Sequence, residues 1–130
     1  VECPNTGLTL KTRPDLMIQS KKSLYDVKTT QDASPFGFQK ECNLYAYDIQ
    51  ASFYLYVCQI AELDVSEFSF LAVEKSAPYC SHIHVVGPEL MESAMSRMIA
   101  TLEIIAKANK EESYDTGWGE KNILSLPKWL

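Results

Sequence analysis

The chain has 130 residues, 46% of them hydrophobic and 22% charged, a composition that supports one core and little more. Seventeen acidic residues against twelve basic ones leave a formal charge of -5, which by itself argues against a nucleic-acid partner. No run of about 18 apolar residues exists, since the best candidate, Ala51 to Ile60, ends against Glu62 and Asp64, so no membrane span is expected.

The N-terminus reads Val1-Glu2-Cys3-Pro4, with no initiator Met, basic n-region or apolar h-region, and is taken as the start of a fragment. Leu8 to Asp15 alternates apolar and polar residues and predicts a strand stopped by Pro14, with Asp15 at its end. Leu16-Met17-Ile18 continues extended into the polar turn Gln19-Ser20-Lys21-Lys22, and Ser23 to Thr30 follows as a second alternating strand, predicting a hairpin. Gln31 to Gly37 is loop chemistry. Phe38 to Ile60, free of Pro and Gly, predicts one middle helix.

Glu67 to Glu74 and Ser81 to Val86 predict two further strands, joined through Ser76-Ala77-Pro78 as a second hairpin. Gly87-Pro88 then opens a long helix ending near Lys110, with Leu90, Met91, Ala94, Met95, Met98, Leu102 and Ile105 at three- and four-residue spacing. The tail, with Gly117 and Gly119 around Trp118 and Leu-Pro-Lys-Trp near its end, is irregular but apolar and is expected to dock on the core. The order β-β-α-β-β-α predicts a single α/β (α+β) domain over residues 1–130.

Cys3, Cys42, Cys58 and Cys80 have no metal-binding spacing and read as free thiols of a reducing cytosol, with bridging in an oxidising compartment as the alternative. His82 and His84 share a strand face but lack a third ligand, and read as the polar edge of a half-exposed strand. The Met91, Met95, Met98 stripe reads as core or subunit interface. No phosphate-cradling glycine motif is present, and neither Ser34 nor Ser113 has a neighbouring His with a supporting acid.

Asp26 and Lys28, two apart on a strand, share one face, and hairpin pairing brings Asp15 near Asp26. Two carboxylates, with the Val27 carbonyl as a further donor, make an oxygen-rich site for Mg2+ (or Mn2+). A Lys beside such an ion can activate water or stabilise charge on a phosphate. On the middle helix, Tyr47, Gln50 and Tyr54 fall on one face. Taken alone, Asp-x-Lys is also the pattern of a solvated surface ion pair.

Arg13-Pro14-Asp15, then Tyr25-Asp26-Val27-Lys28-Thr29-Thr30, then Gln50-Ala51-Ser52-Phe53-Tyr54 together resemble the PD-(D/E)XK nuclease superfamily in its RecB-like branch. The Lys-Thr-Thr run, the Phe70-Leu71-Ala72-Val73-Glu74 strand and the closing Leu124-Ser125-Leu126-Pro127-Lys128-Trp129 narrow the resemblance to RecE-type exonucleases such as exonuclease VIII. The resemblance implies a restriction-endonuclease-like core, a mixed sheet of about four strands flanked by two helices. It implies catalytic roles for Asp15, Asp26, Lys28, Gln50 and Tyr54, with metal on Asp15, Asp26 and Val27. It further implies Mg2+-dependent 5'-to-3' resection of linear duplex DNA in phage-type recombination, a ring-shaped homo-oligomer, a single-strand annealing partner and a cytoplasmic location. Such nucleases carry an upstream helical segment with a further His or Glu. Glu2 is the only acid ahead of the first strand, so the domain is expected to be N-terminally incomplete.

The charge objection weakens on inspection, because through residue 30 five bases face three acids. DNA is expected at Lys11, Arg13, Lys21, Lys22, Thr29 and Thr30, with salt-sensitive binding. Two other readings stand beside the nuclease: a catalytically inactive remnant acting in DNA binding or subunit contact, and an unrelated α+β interaction module.

Overall fold

Residues 1–129 are described by a computed structural model of the chain. The strands are β1 (Leu16–Ile18), β2 (Ser23–Thr30), β3 (Glu67–Glu74) and β4 (Ser81–Val85), and the helices are α1 (Pro35–Tyr45), α2 (Tyr47–Ile60) and α3 (Pro88–Glu111). They form one sheet in the order β1-β2-β3-β4, antiparallel at both edges and parallel between β2 and β3. A parallel pair needs a long crossover, and α1 with α2 supplies it. The mixed four-stranded α/β architecture is the expected one, with three helices in place of two.

The extra helix arises because the middle segment is not continuous. Ala46 adopts a left-handed conformation (φ 52°), ending α1 and starting α2. At 3.6 residues per turn, Phe38 and Ala51 would face about 140° apart on an unbroken helix. The break lets both enter the cluster against the sheet, with Leu24, Leu55, Phe68 and Phe70. The α1 start is fixed by Ser34, whose hydroxyl accepts the Gly37 N–H at 3.1 Å, and by Pro35 in the first turn. Gly37 is required there, because a Cβ would collide with the Asp32 carboxylate.

The expected strand over Leu8–Asp15 does not form, and pairing with β2 begins at Leu16. Pro14 removes a ladder donor. The residues before it fold back on the N-terminus instead, with Glu2 bridged to Thr9 and the Leu10 N–H on the Val1 carbonyl. Leu10 and Cys3 thereby enter a second cluster with Val57, Met98 and Leu102, where α3 closes on the outer side of α2. The methionine stripe is core: Met98 is buried, and Met91 and Met95 pack against the clusters. The four cysteines are unbridged.

The tail does not dock as expected. Trp118, Ile123, Leu124, Leu126 and Trp129 are each more than four-fifths exposed, and none belongs to either core cluster. Left-handed turns at Glu112 and Gly117 interrupt the direction of α3 before those residues are reached, and another follows at Gly119. The sheet face away from α2 carries the half-exposed Leu16, Val27, Ile83 and Val85. Among the described residues no helix is long and apolar enough to cross a membrane.

Candidate active site

Strand alternation in β2 turns Leu24, Asp26, Lys28 and Thr30 toward the helices. The Asp26 carboxylate is consequently buried, and a buried charge persists only with partners. Lys28 supplies the first, its Nζ lying 2.7 Å from Asp26 Oδ2. Gln50, from α2, supplies the second: its Nε2 donates to Asp26 Oδ1 at 3.1 Å, and its Oε1 accepts from Lys28 Nζ at 2.7 Å. The three side chains form a closed hydrogen-bonded ring bridging strand and helix.

Aromatic rings support the lysine from one side. Its Nζ lies 4.6 Å from the centroid of Tyr47 and 5.9 Å from that of Phe70, within cation–π range of both. Burial, with help from Glu41, pushes the Tyr47 hydroxyl above its ordinary range, so it stays neutral and its ring remains an electron-rich face. The helical spacing of Tyr47 and Gln50 placed this ring on the right face, but nothing in the sequence marked it as a lysine contact.

Asp15 stands one residue ahead of β1, and its Oδ2 accepts the Val27 N–H at 2.8 Å, extending the β1–β2 ladder with a side chain. A residue's N–H and C=O face the same strand edge, so the Val27 carbonyl lies on the Asp15 side. Asp15, Asp26 and that carbonyl are hard oxygen donors, chemically suited to Mg2+ or Mn2+. Among the described residues no group of three His, Cys, Asp or Glu side chains converges. A cation held here would take two carboxylates, one carbonyl and oxygens from water or phosphate, the partial shell magnesium tolerates.

Tyr54, one turn beyond Gln50, packs edge-on against Phe68 at 5.9 Å and is part of the sheet-side cluster. It makes no hydrogen bond to the Asp26–Lys28–Gln50 ring among the described residues. Lys11 and Arg13 are exposed on the segment leading into Asp15. Lys21 and Lys22 lie ahead of the start of β2, Lys22 about 13 Å from Asp26 at strand rise. Lys22 is already paired with Asp64 at 2.9 Å. Thr29 is exposed, but Thr30, expected on the DNA side, is buried, and its hydroxyl bonds both backbone groups of Asp32. Alternation turns it inward with Asp26 and Lys28.

The loop leaving β2 is anchored by a residue outside the expected site. His84 Nε2 lies 3.0 Å from the Ala33 carbonyl, and its ring stacks on Phe38 at 4.4 Å. The Ala33 N–H donates to Glu74. β4 is the expected half-exposed edge strand, with His82 exposed, while His84 is half-buried and anchors the loop, and burial pushes its pKa down.

The sequence profile of a PDDEXK-like domain of unknown function, DUF3799, matches residues 2–125. The chain belongs to the DUF3799 family. The mixed four-stranded sheet with its three helices is accordingly a PD-(D/E)XK nuclease-like core. Among solved structures, the DUF3799 chain is similar to a candidate exonuclease from Eubacterium rectale, with a TM-score of 0.55 and 16% identity. The match covers 81% of this chain and 44% of that one, so the DUF3799 chain spans less than half the length of that structure. At this identity the likeness is one of fold. No curated protein matches the chain.

Proposed function

We propose that this DUF3799 chain is the catalytic core of a metal-dependent exonuclease of RecE type, hydrolysing phosphodiester bonds of linear double-stranded DNA. The observation that carries this reading is the ring of Asp26, Lys28 and Gln50 beside Asp15. An ammonium has three N–H donors, of which Asp26 and Gln50 take two, leaving one for a phosphate oxygen or an attacking water. Asp15, Asp26 and the Val27 carbonyl would hold Mg2+ or Mn2+, which supplies Lewis-acid polarisation of the phosphate and a more acidic water when bound. Gln50 keeps Asp26 and Lys28 in register, and the Tyr47 face holds the lysine against them. Lys11 and Arg13, exposed next to Asp15, would take backbone phosphates. On this reading the partners are duplex ends, further copies of the chain in a ring and a single-strand annealing protein, in the cytoplasm.

The test is nucleotide release from linear duplex DNA with Mg2+, by the chain and by Lys28→Ala. The expected outcome is a loss of about a hundredfold or more in the variant. Equal rates would remove Lys28 from the chemistry. A second reading, a non-catalytic nuclease fold, is favoured because no group of three His, Cys, Asp or Glu side chains converges among the described residues. Mg2+ binding without any nucleotide release would select it.

A further inference from the structure

Gln50 faces two ways. Besides the ring with Asp26 and Lys28, it lines, with Tyr54, a groove of about 500 Å³ between α2 and α3, whose walls include Tyr45, Ile49, Phe53 and Leu102. Among the described residues none of its lining side chains is charged, and three are aromatic. Tyr45, the last residue of α1, belongs to neither core cluster and is 61% exposed. Its ring stacks on Tyr47 at 5.6 Å and 27°, and Tyr47 in turn carries the Lys28 ammonium. Tyr45 is therefore the outermost layer of a stack that ends at the proposed catalytic lysine.

We infer that Tyr45 and this groove form a stacking seat for an unpaired nucleobase of the substrate strand, adjacent to the phosphate held at Lys28. The inference rests on the proposed nuclease function. A nucleotide divides into a charged phosphate and a flat, uncharged base, and the surface divides the same way. Lys28 supplies charge on one side of Gln50, where the amide accepts from its ammonium at 2.7 Å, and an uncharged aromatic groove lies on the other. Any base offers a π-face to an exposed aromatic ring, so the seat is sequence-tolerant. A base within a duplex is already stacked on its neighbours, so the occupant is one freed by fraying or lying in an overhang.

The test uses duplex DNA with a 2-aminopurine at an overhanging terminus, with Ca2+ in place of Mg2+ so that binding is read without cleavage. Wild type and Tyr45→Phe quench the fluorophore on binding. Tyr45→Ala, a surface change whose folding is checked by its melting curve, loses the quench and binds about tenfold more weakly. An abasic terminal nucleotide brings wild-type affinity down to that of Tyr45→Ala and leaves the variant unaffected, a dependence that a merely structural role for Tyr45 would not produce. Absence of quench in wild type, or equal binding of intact and abasic ends by both proteins, overturns the inference and leaves the groove to an apolar side chain of protein origin. The same DNAs assayed with Mg2+ separate the two ideas. Nucleotide release indifferent to Tyr45 and to the base removes the seat and keeps the nuclease. Base-dependent binding without release keeps the seat and selects the non-catalytic reading.

Discussion

Gln50 reaches Asp26 across the gap between α2 and β2, donating to Oδ1 at 3.1 Å while accepting from Lys28 at 2.7 Å. A single amide thus satisfies a buried carboxylate and fixes the ammonium beside it. Gln50→Leu keeps the volume and removes both bonds. Asp26 and Lys28 still neutralise each other, but two bonds to charged groups are lost, one of them to a buried carboxylate, so the melting temperature should fall by about ten degrees, about 2–3 kcal/mol. Nucleotide release should fall by roughly a hundredfold, the usual consequence of a catalytic group displaced by about an ångström. Side-by-side melting and release measurements check both numbers.

His84 ties the loop after β2 to β4 through the Ala33 carbonyl, and burial holds its pKa below the ordinary histidine value, with a small further push from His82. The group is therefore neutral in the fold over a range where the unfolded chain binds a proton. Its contribution to stability is complete above about pH 6.5 and declines as pH falls below that value, because protons then favour the unfolded state. Urea unfolding at a series of pH values should show this decline in wild type. His84→Gln should be less stable at neutral pH, through the lost contact on Phe38, but should show a shallower slope as pH falls below about 6.5.

Most of this site was legible because its rules are local. Period-two alternation put Asp26 and Lys28 on one face, and helical spacing put Tyr47 and Gln50 on another. The unreadable parts depended on tertiary choices. Ala46 carries no break signal, since alanine is the strongest helix former, yet burying both Phe38 and Ala51 against the sheet demands a change of direction there. Leu8 and Leu10 alternate as a strand would, but a second core under α3 draws them away. Thr30 was legible by the same alternation as Asp26 and Lys28, and its residue type alone suggested exposed polar surface. The apolar tail reads as core by composition, whereas its exposure is set by where α3 ends.

Asp48 in the first turn of α2 is buried and ion-paired with Arg97 of α3, while its other oxygen accepts the Ile49 N–H. Arg97→Ala leaves that carboxylate without its counter-charge. The arginine is half exposed, so solvent screens part of the pair, and the expected cost is about 1–2 kcal/mol rather than the larger penalty of a fully buried pair. Replacing both partners with leucine should recover most of the loss, because no unpaired charge then remains. A double-mutant cycle in urea measures the coupling.

Ala46 offers the clearest gain. Its left-handed backbone costs an alanine roughly 1–2 kcal/mol, because Cβ approaches the following carbonyl oxygen, whereas glycine adopts the same angles freely. Against this, glycine gives the unfolded chain more conformational freedom, which offsets about 0.4–1 kcal/mol. Ala46→Gly should therefore stabilise the protein by about 0.5–1 kcal/mol and raise its melting temperature by a few degrees. Ala46→Val, with a branched Cβ at the same angles, should destabilise it by more than that. If instead glycine destabilised and valine were neutral, α1 and α2 would be one continuous helix in solution, and Gln50 would no longer be aimed at Asp26.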